Sequence, residues 1–136
     1  MALLDTTVLI DLNLRPRSPL RRRADAVTAA LVSRGEELCT SRINEAEFRV
    51  GAFRALDPAR ETARIDMLLS KLVILEFDAT AARRYAEAQA HLLNIGKPSG
   101  EADVFIAAVA LANGQRLVTR NPAHFANIPG LVIEAY

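Results

Sequence analysis

The chain has one cysteine and no tryptophan, and only two of its 17 basic residues, Lys71 and Lys97, are lysine. A single thiol makes neither an internal disulfide nor a thiolate metal cluster, so Cys39 reads as a small buried hydrophobe within Glu37-Leu38-Cys39-Thr40. The longest unbroken apolar run, Val104 to Ala112, has nine residues, too few to span a bilayer. The opening Met1-Ala2-Leu3-Leu4-Asp5 lacks the basic region and long apolar stretch of a secretion signal, which predicts a soluble, cytoplasmic protein. There is no Gly-x-Gly-x-x-Gly and no glycine-rich loop ending in Lys-Ser/Thr, which argues against dinucleotide binding and nucleotide hydrolysis. His91 and His124 have no partner at metal-ligand spacing, so zinc is not expected and both read as surface or packing residues.

What is present is enough apolar material for one core: 136 residues at 51% hydrophobic predict a single domain over 1–136. The net charge is +1, but residues 15–34 carry six arginines against Asp25 alone. Arginine suits bidentate phosphate or carboxylate contacts, so Arg21, Arg22 and Arg23 are either an anion-binding edge or a solvated helix face.

Short apolar runs alternate with longer segments of helical period, the pattern of an α/β protein with a mostly parallel sheet. Strands are predicted at Ala2–Leu4, Glu37–Thr40, Val73–Phe77, Arg116–Thr119 and Leu131–Ile133. Helices are predicted over Thr6–Leu12, from about Leu20 to Ser33, from Ser41 as N-cap, after Asp57-Pro58, from Asp78 to about Leu93, and over Glu101–Ala112. In the third of these, Ile43, Ala46, Glu47 and Val50 share a face, which predicts that Glu47 points inward with Glu45 on another face.

Asp5, Glu47 and Asp103 each sit where an apolar segment meets its end. A carboxylate held beside apolar core costs several kcal/mol unless it is paired, so three such positions suggest a shared cation. Each also has a plainer reading: Asp5 as a strand end and helix cap, Glu47 as a surface residue of an amphipathic helix, Asp103 as a first-turn acid favoured by the helix dipole. Glu45 stands in for Glu47 if the helix register differs, and Glu101 competes with Asp103. Thr7 is placed to position Asp5 or to cap, and Asn121 to join the site or to form a turn before Pro122.

Four blocks, Leu4-Asp5-Thr6-Thr7-Val8-Leu9, Glu47-Phe48-Arg49-Val50-Gly51, Ala102-Asp103-Val104-Phe105-Ile106-Ala107-Ala108 and Leu117-Val118-Thr119-Arg120-Asn121, together resemble the PIN-domain family, nearest to its VapC toxins. The resemblance implies an α/β/α sandwich around a central, mostly parallel sheet of four to five short strands. It also implies a Mg²⁺- or Mn²⁺-dependent endoribonuclease that is usually dimeric and held inactive by a cognate antitoxin. Carried over by position, the metal-site and catalytic acids are Asp5, Glu47 and Asp103. Asn121 stands where the family often has a fourth acid, and His124 where many relatives have another. A neutral amide oxygen binds a second cation more weakly. RNA backbone would be held by Arg120 and by Arg21, Arg22 and Arg23.

The chemistry agrees with the donor set, because hard divalent cations take oxygen ligands and lower the pKa of a bound water for phosphodiester hydrolysis. Two other readings stand beside it. A phosphatase-type hydrolase with Asp5 as nucleophile would want a second aspartate at position 7, which is threonine. A catalytically inert binding or dimerisation module would keep the fold without the cleavage.

Overall fold

The computed structural model describes residues 1–136. Five strands, β1 (Ala2–Leu4), β2 (Leu38–Ser41), β3 (Val73–Leu75), β4 (Arg116–Thr119) and β5 (Ile133–Ala135), form one sheet in the order β3-β2-β1-β4-β5. Every neighbouring pair is parallel. Parallel strands need crossovers, and six helices supply them: α1 (Thr6–Leu12), α2 (Pro19–Ser33), α3 (Arg42–Phe53), α4 (Pro58–Leu69), α5 (Ala79–Asn94) and α6 (Glu101–Ala112).

The alternation of side chains along the strands sorts the core into two layers. Leu3, Cys39 and Leu117 face α5 and α6, where Val104, Ile106, Ala107 and Ala110 are buried with them. Ala2, Leu4 and Val118 point the other way, against Val8 and Leu9 of α1, Leu31 of α2, Phe48 of α3 and Ile65 of α4. Fully burying side chains of this size contributes about 1.5–3 kcal/mol each, so the two layers hold β1 from both faces. Cys39 behaves as expected: it is fully buried, donates from Sγ to the Ala2 carbonyl at 3.3 Å, and burial pushes its thiol pKa up to about 11.

Boundaries shift by small amounts for identifiable reasons. The second helix starts at Pro19, whose fixed φ suits the first helical position. The third strand stops at Leu75, because Asp78 already accepts from the Ala81 N–H as cap of α5. The last strand is Ile133–Ala135 rather than Leu131–Ile133. The face of α3 is the substantive correction. Its buried residues are Asn44, Glu45, Phe48 and Ala52, while Ala46, Glu47 and Val50 are exposed. Of the four residues that share a stripe, only Ile43 packs partly against the core, because two core positions of this helix, Asn44 and Glu45, are polar.

The chain leaves β1 for β2 on one side and reaches β4 on the other, so the sheet's topological switch lies beside β1. Crevices form at the carboxyl ends of strands at such a point. The residues that follow these strand ends are Asp5, Arg42 and Arg120.

Candidate active site

Asp5 is the residue after β1, and its backbone N–H is fixed by the Val118 carbonyl at 3.0 Å. It stands at the N-cap of α1 yet makes no side-chain cap bond, so the capping role is not what occupies its carboxylate. Instead Oδ2 accepts from Thr119 Oγ1 at 2.7 Å and from Thr7 Oγ1 at 3.1 Å, and Oδ1 accepts from Asn44 Nδ2 at 3.2 Å. Both hydroxyls are themselves oriented by backbone donors: the Arg120 N–H bonds Thr7 Oγ1 and the Asn121 N–H bonds Thr119 Oγ1, each at 3.1 Å. The carboxylate is therefore held by three side-chain donors in one orientation.

Asn44 ties Asp5 to the third helix. Ser41 caps α3 by accepting from the Asn44 N–H, and Asn44 Oδ1 accepts in return from the Ser41 N–H and hydroxyl, which completes a capping box. The amide's other end donates to Asp5 and, at 3.0 Å, to Thr6 Oγ1. Thr6 in turn donates to Glu47 Oε1 at 2.6 Å. One buried amide thus registers two of the three acids. Asn44 was legible as a first-turn residue three positions after the cap, but nothing in its neighbourhood marked its second bond.

Asp103 arrives from the first turn of α6, and with Asp5, Glu47, Thr7, Glu101 and Asn121 it lines one open cleft of about 390 Å³. His124 lines the same cleft with Nδ1 3.5 Å from Asp103 Oδ2, at the position where the family resemblance puts an acid in many relatives. Gly100 leaves room for this carboxylate: a Cβ there would lie 3.0 Å from Asp103 Oδ2 and make it shift.

The electrostatics are those of like charges gathered together. Burial pushes the Glu47 carboxyl above its ordinary range; the Thr6 bond opposes this, and the charges on Asp5 and Asp103 add to it. Burial likewise raises Asp103, with His124 opposing and Asp5 adding. No three His, Cys, Asp or Glu side chains close on a single point. A cation such as Mg²⁺ takes one or two carboxylates directly and reaches other groups through water. The donors present, carboxylate oxygens with an amide oxygen at Asn121, fit a hard divalent cation.

Three expected residues lie elsewhere. Glu45 is buried between Arg42 and Arg49, accepting from Arg49 Nε at 2.8 Å, and does not line the cleft. Arg120 is turned away from any substrate: its Nε donates to Asp11 Oδ2 at 2.9 Å, and Tyr136 donates to the same oxygen at 2.8 Å. Arg21 is chelated by Asp25 and the Leu14 carbonyl. Arg22 and Arg23 are exposed without an ion-pair partner, although the Arg23 guanidinium lies 6.0 Å from the Tyr136 ring centroid.

An all-parallel five-stranded sheet with acids from β1, α3 and α6 gathered at its switch point defines a class, and the chain belongs to it: residues 2–131 match the PIN domain family. Its similarity is to the VapC branch. It is 31% identical to Ribonuclease VapC2 of Haemophilus influenzae over 97% of this chain and 95% of that one. It is 36% identical to the tRNA(fMet)-specific endonuclease VapC of Salmonella typhimurium, over 71% and 74% of the two chains. Among solved structures, the Salmonella typhimurium VapBC bound to DNA superposes with a TM-score of 0.82 at 31% identity, covering 99% and 98% of the two chains. The Rickettsia felis VapBC2 bound to promoter DNA superposes at 0.86, with 25% identity over 99% and 98%.

Proposed function

We propose that this chain is a VapC-type endoribonuclease, the toxin of a toxin–antitoxin pair, which hydrolyses RNA phosphodiester bonds with a divalent cation, Mg²⁺ or Mn²⁺, held by Asp5, Glu47 and Asp103. The observation that carries this reading is the convergence of those three acids in one cleft with Asp5 locked by Asn44, Thr7 and Thr119. The relatives named as ribonucleases and the neighbours solved as VapBC complexes support the activity and an antitoxin partner.

When bound, the cation would supply an acidified water and offset charge on the phosphoryl oxygens. The chain's own residues do the positioning. Asp5 is presented as a fixed carboxylate because its three donors leave it no second orientation. Glu47 is steered by one hydroxyl and stays closer to solvent. Asp103 lines the same cleft, and Asn121 adds a neutral amide to its lining. Arg22 and Arg23, exposed on α2, would hold RNA phosphates outside the cleft. The cleft's open form suits a strand laid across it rather than a small molecule enclosed within it. Homodimerisation and a cytoplasmic location belong to the same reading.

The test is cleavage of total transfer RNA by the purified protein with Mg²⁺ or Mn²⁺ against chelator, beside Asp5→Asn. Metal-dependent products ending in 5′-phosphate and 3′-hydroxyl support water as the nucleophile. A cyclic phosphate end, or cleavage that survives both chelator and Asp5→Asn, overturns the mechanism.

A further inference from the structure

We propose that Asp103 and His124 form a mixed oxygen–nitrogen seat for the divalent cation, one that tilts this site towards Mn²⁺ over Mg²⁺. The inference rests on the metal-dependent reading above and assigns a ligand to it. His124 Nδ1 stands 3.5 Å from Asp103 Oδ2. Adjacent ligands of a six-coordinate cation with bonds of about 2.1 Å lie roughly 3 Å apart, so the two donors are within half an ångström of the spacing that a shared ion demands. Neither side chain is engaged elsewhere: their mutual contact is the one polar contact either makes. Asp5 differs, with three side-chain donors already on its two oxygens.

The backbone beneath the pair is firm while the imidazole is free to adjust. His124 ends a 3₁₀ turn over Pro122–His124, its N–H bonds the Asn121 carbonyl at 3.2 Å, and the next residue, Phe125, is 1% exposed in the core. The side chain itself is 58% exposed and opens onto the cleft. On the opposite side, the bare backbone of Gly100 leaves Asp103 Oδ2 room to face the ring. Mg²⁺ keeps oxygen ligands, whereas imidazole suits the transition metals better, so a nitrogen at this position alters cation preference rather than creating the site.

The chain has only two histidines, His91 and His124, so nitrogen ligation is assignable without ambiguity. Mn²⁺ is titrated into wild type, His124→Ala and His91→Ala, with bound ion counted by electron paramagnetic resonance and ¹⁴N coupling read by pulsed methods. Wild type and His91→Ala are expected to show imidazole ¹⁴N modulation, and His124→Ala to lose it. Loss of outer-shell partners alone weakens metal affinity about 10–100-fold, so Mn²⁺ affinity in His124→Ala should fall at least about tenfold, and Mg²⁺ affinity by less. Mn²⁺ that binds wild type without ¹⁴N modulation, or modulation that persists in His124→Ala, overturns the assignment and leaves the metal reading intact. Failure of wild type to bind either cation, with RNA cleavage in chelator, overturns both.

Discussion

Asp11 and Arg120, 109 positions apart in sequence, form an ion pair behind the cleft in which the carboxylate is fully buried and the guanidinium is 32% exposed. The pair joins α1 to the residue that follows β4, and through the Arg120 N–H to Thr7 it braces the hydroxyls that hold Asp5. Removing one partner of a buried pair is costly when it strands the other's charge. Arg120→Ala strands Asp11 with Tyr136 as its remaining donor and should destabilise by about 3 kcal/mol, at the low end for buried pairs because Arg120 reaches solvent. Asp11→Asn leaves an arginine that can turn to water and should lose less. Urea unfolding of the two variants checks the order, and the reverse order would mean that the carboxylate is not the stranded charge.

Gly100→Ala isolates the position of Asp103. The backbone at 100 has φ −57°, which any residue adopts, so the added methyl acts only through its 3.0 Å approach to Asp103 Oδ2. A misplacement near 1 Å in a catalytic constellation lowers rate by on the order of a hundredfold. Asp103 need give only a few tenths of an ångström, so RNA cleavage should drop by about tenfold or less while the melting temperature changes little. Unaltered cleavage would show that Asp103 tolerates displacement.

Arg22 and Arg23 should carry salt-dependent RNA binding, and Arg120 should not. Each phosphate contact to a single strand contributes about −0.7 to the slope of log affinity against log salt, so Arg22→Ala with Arg23→Ala should flatten it by roughly 1.4. Arg21→Ala should flatten it less, since Asp25 already occupies that guanidinium. Fluorescence anisotropy at a series of salt concentrations gives the slopes.

Tyr136 makes a prediction at alkaline pH. Burial raises its phenol above the ordinary value of 10, and the bond to Asp11 raises it further. A group whose folded pKa is raised contributes stability that is full below the unfolded pKa and fades as pH rises towards the folded one. Wild type should therefore be more stable than Tyr136→Phe near pH 7, by about 1.5 kcal/mol, the low end for a hydrogen bond to a charged group because the phenol is only partly buried. That advantage should shrink above about pH 10, the unperturbed phenol value. Thermal melts of both proteins from neutral to alkaline pH check it, and a constant difference would remove Tyr136 from the network.

The sheet and its crossovers were readable because each apolar run is bounded by a turn or cap residue, as at Gly35, Asp78 and Gly114. The three acids were readable as a set through motif order. Glu47 lines the cleft, but not through the inward face its period suggests: it is exposed on α3 with Ala46 and Val50, and the buried positions include Asn44 and Glu45, which no count of apolar residues would select. Periodicity measures burial of apolar groups, and near a site the buried groups are polar. Arg120 failed differently. A sequence shows that a cation lies beside the motif, but not that a buried aspartate 109 positions earlier claims it. His124 is intermediate: the resemblance marks its position as one where many relatives have an acid, but not that its imidazole meets Asp103 at the start of α6.

The bond between Thr119 and Asp5 spans 114 positions and draws the carboxyl ends of β1 and β4 onto one point. Asp5 is made before Thr119, with Glu47 and Asp103 between them. A nascent or prematurely terminated chain that stops before β4 carries all three acids yet has neither the strand that pairs with β1 nor the hydroxyl that orients Asp5. The hydroxyl that fixes Asp5 thus reaches the site only after all three acids have been made.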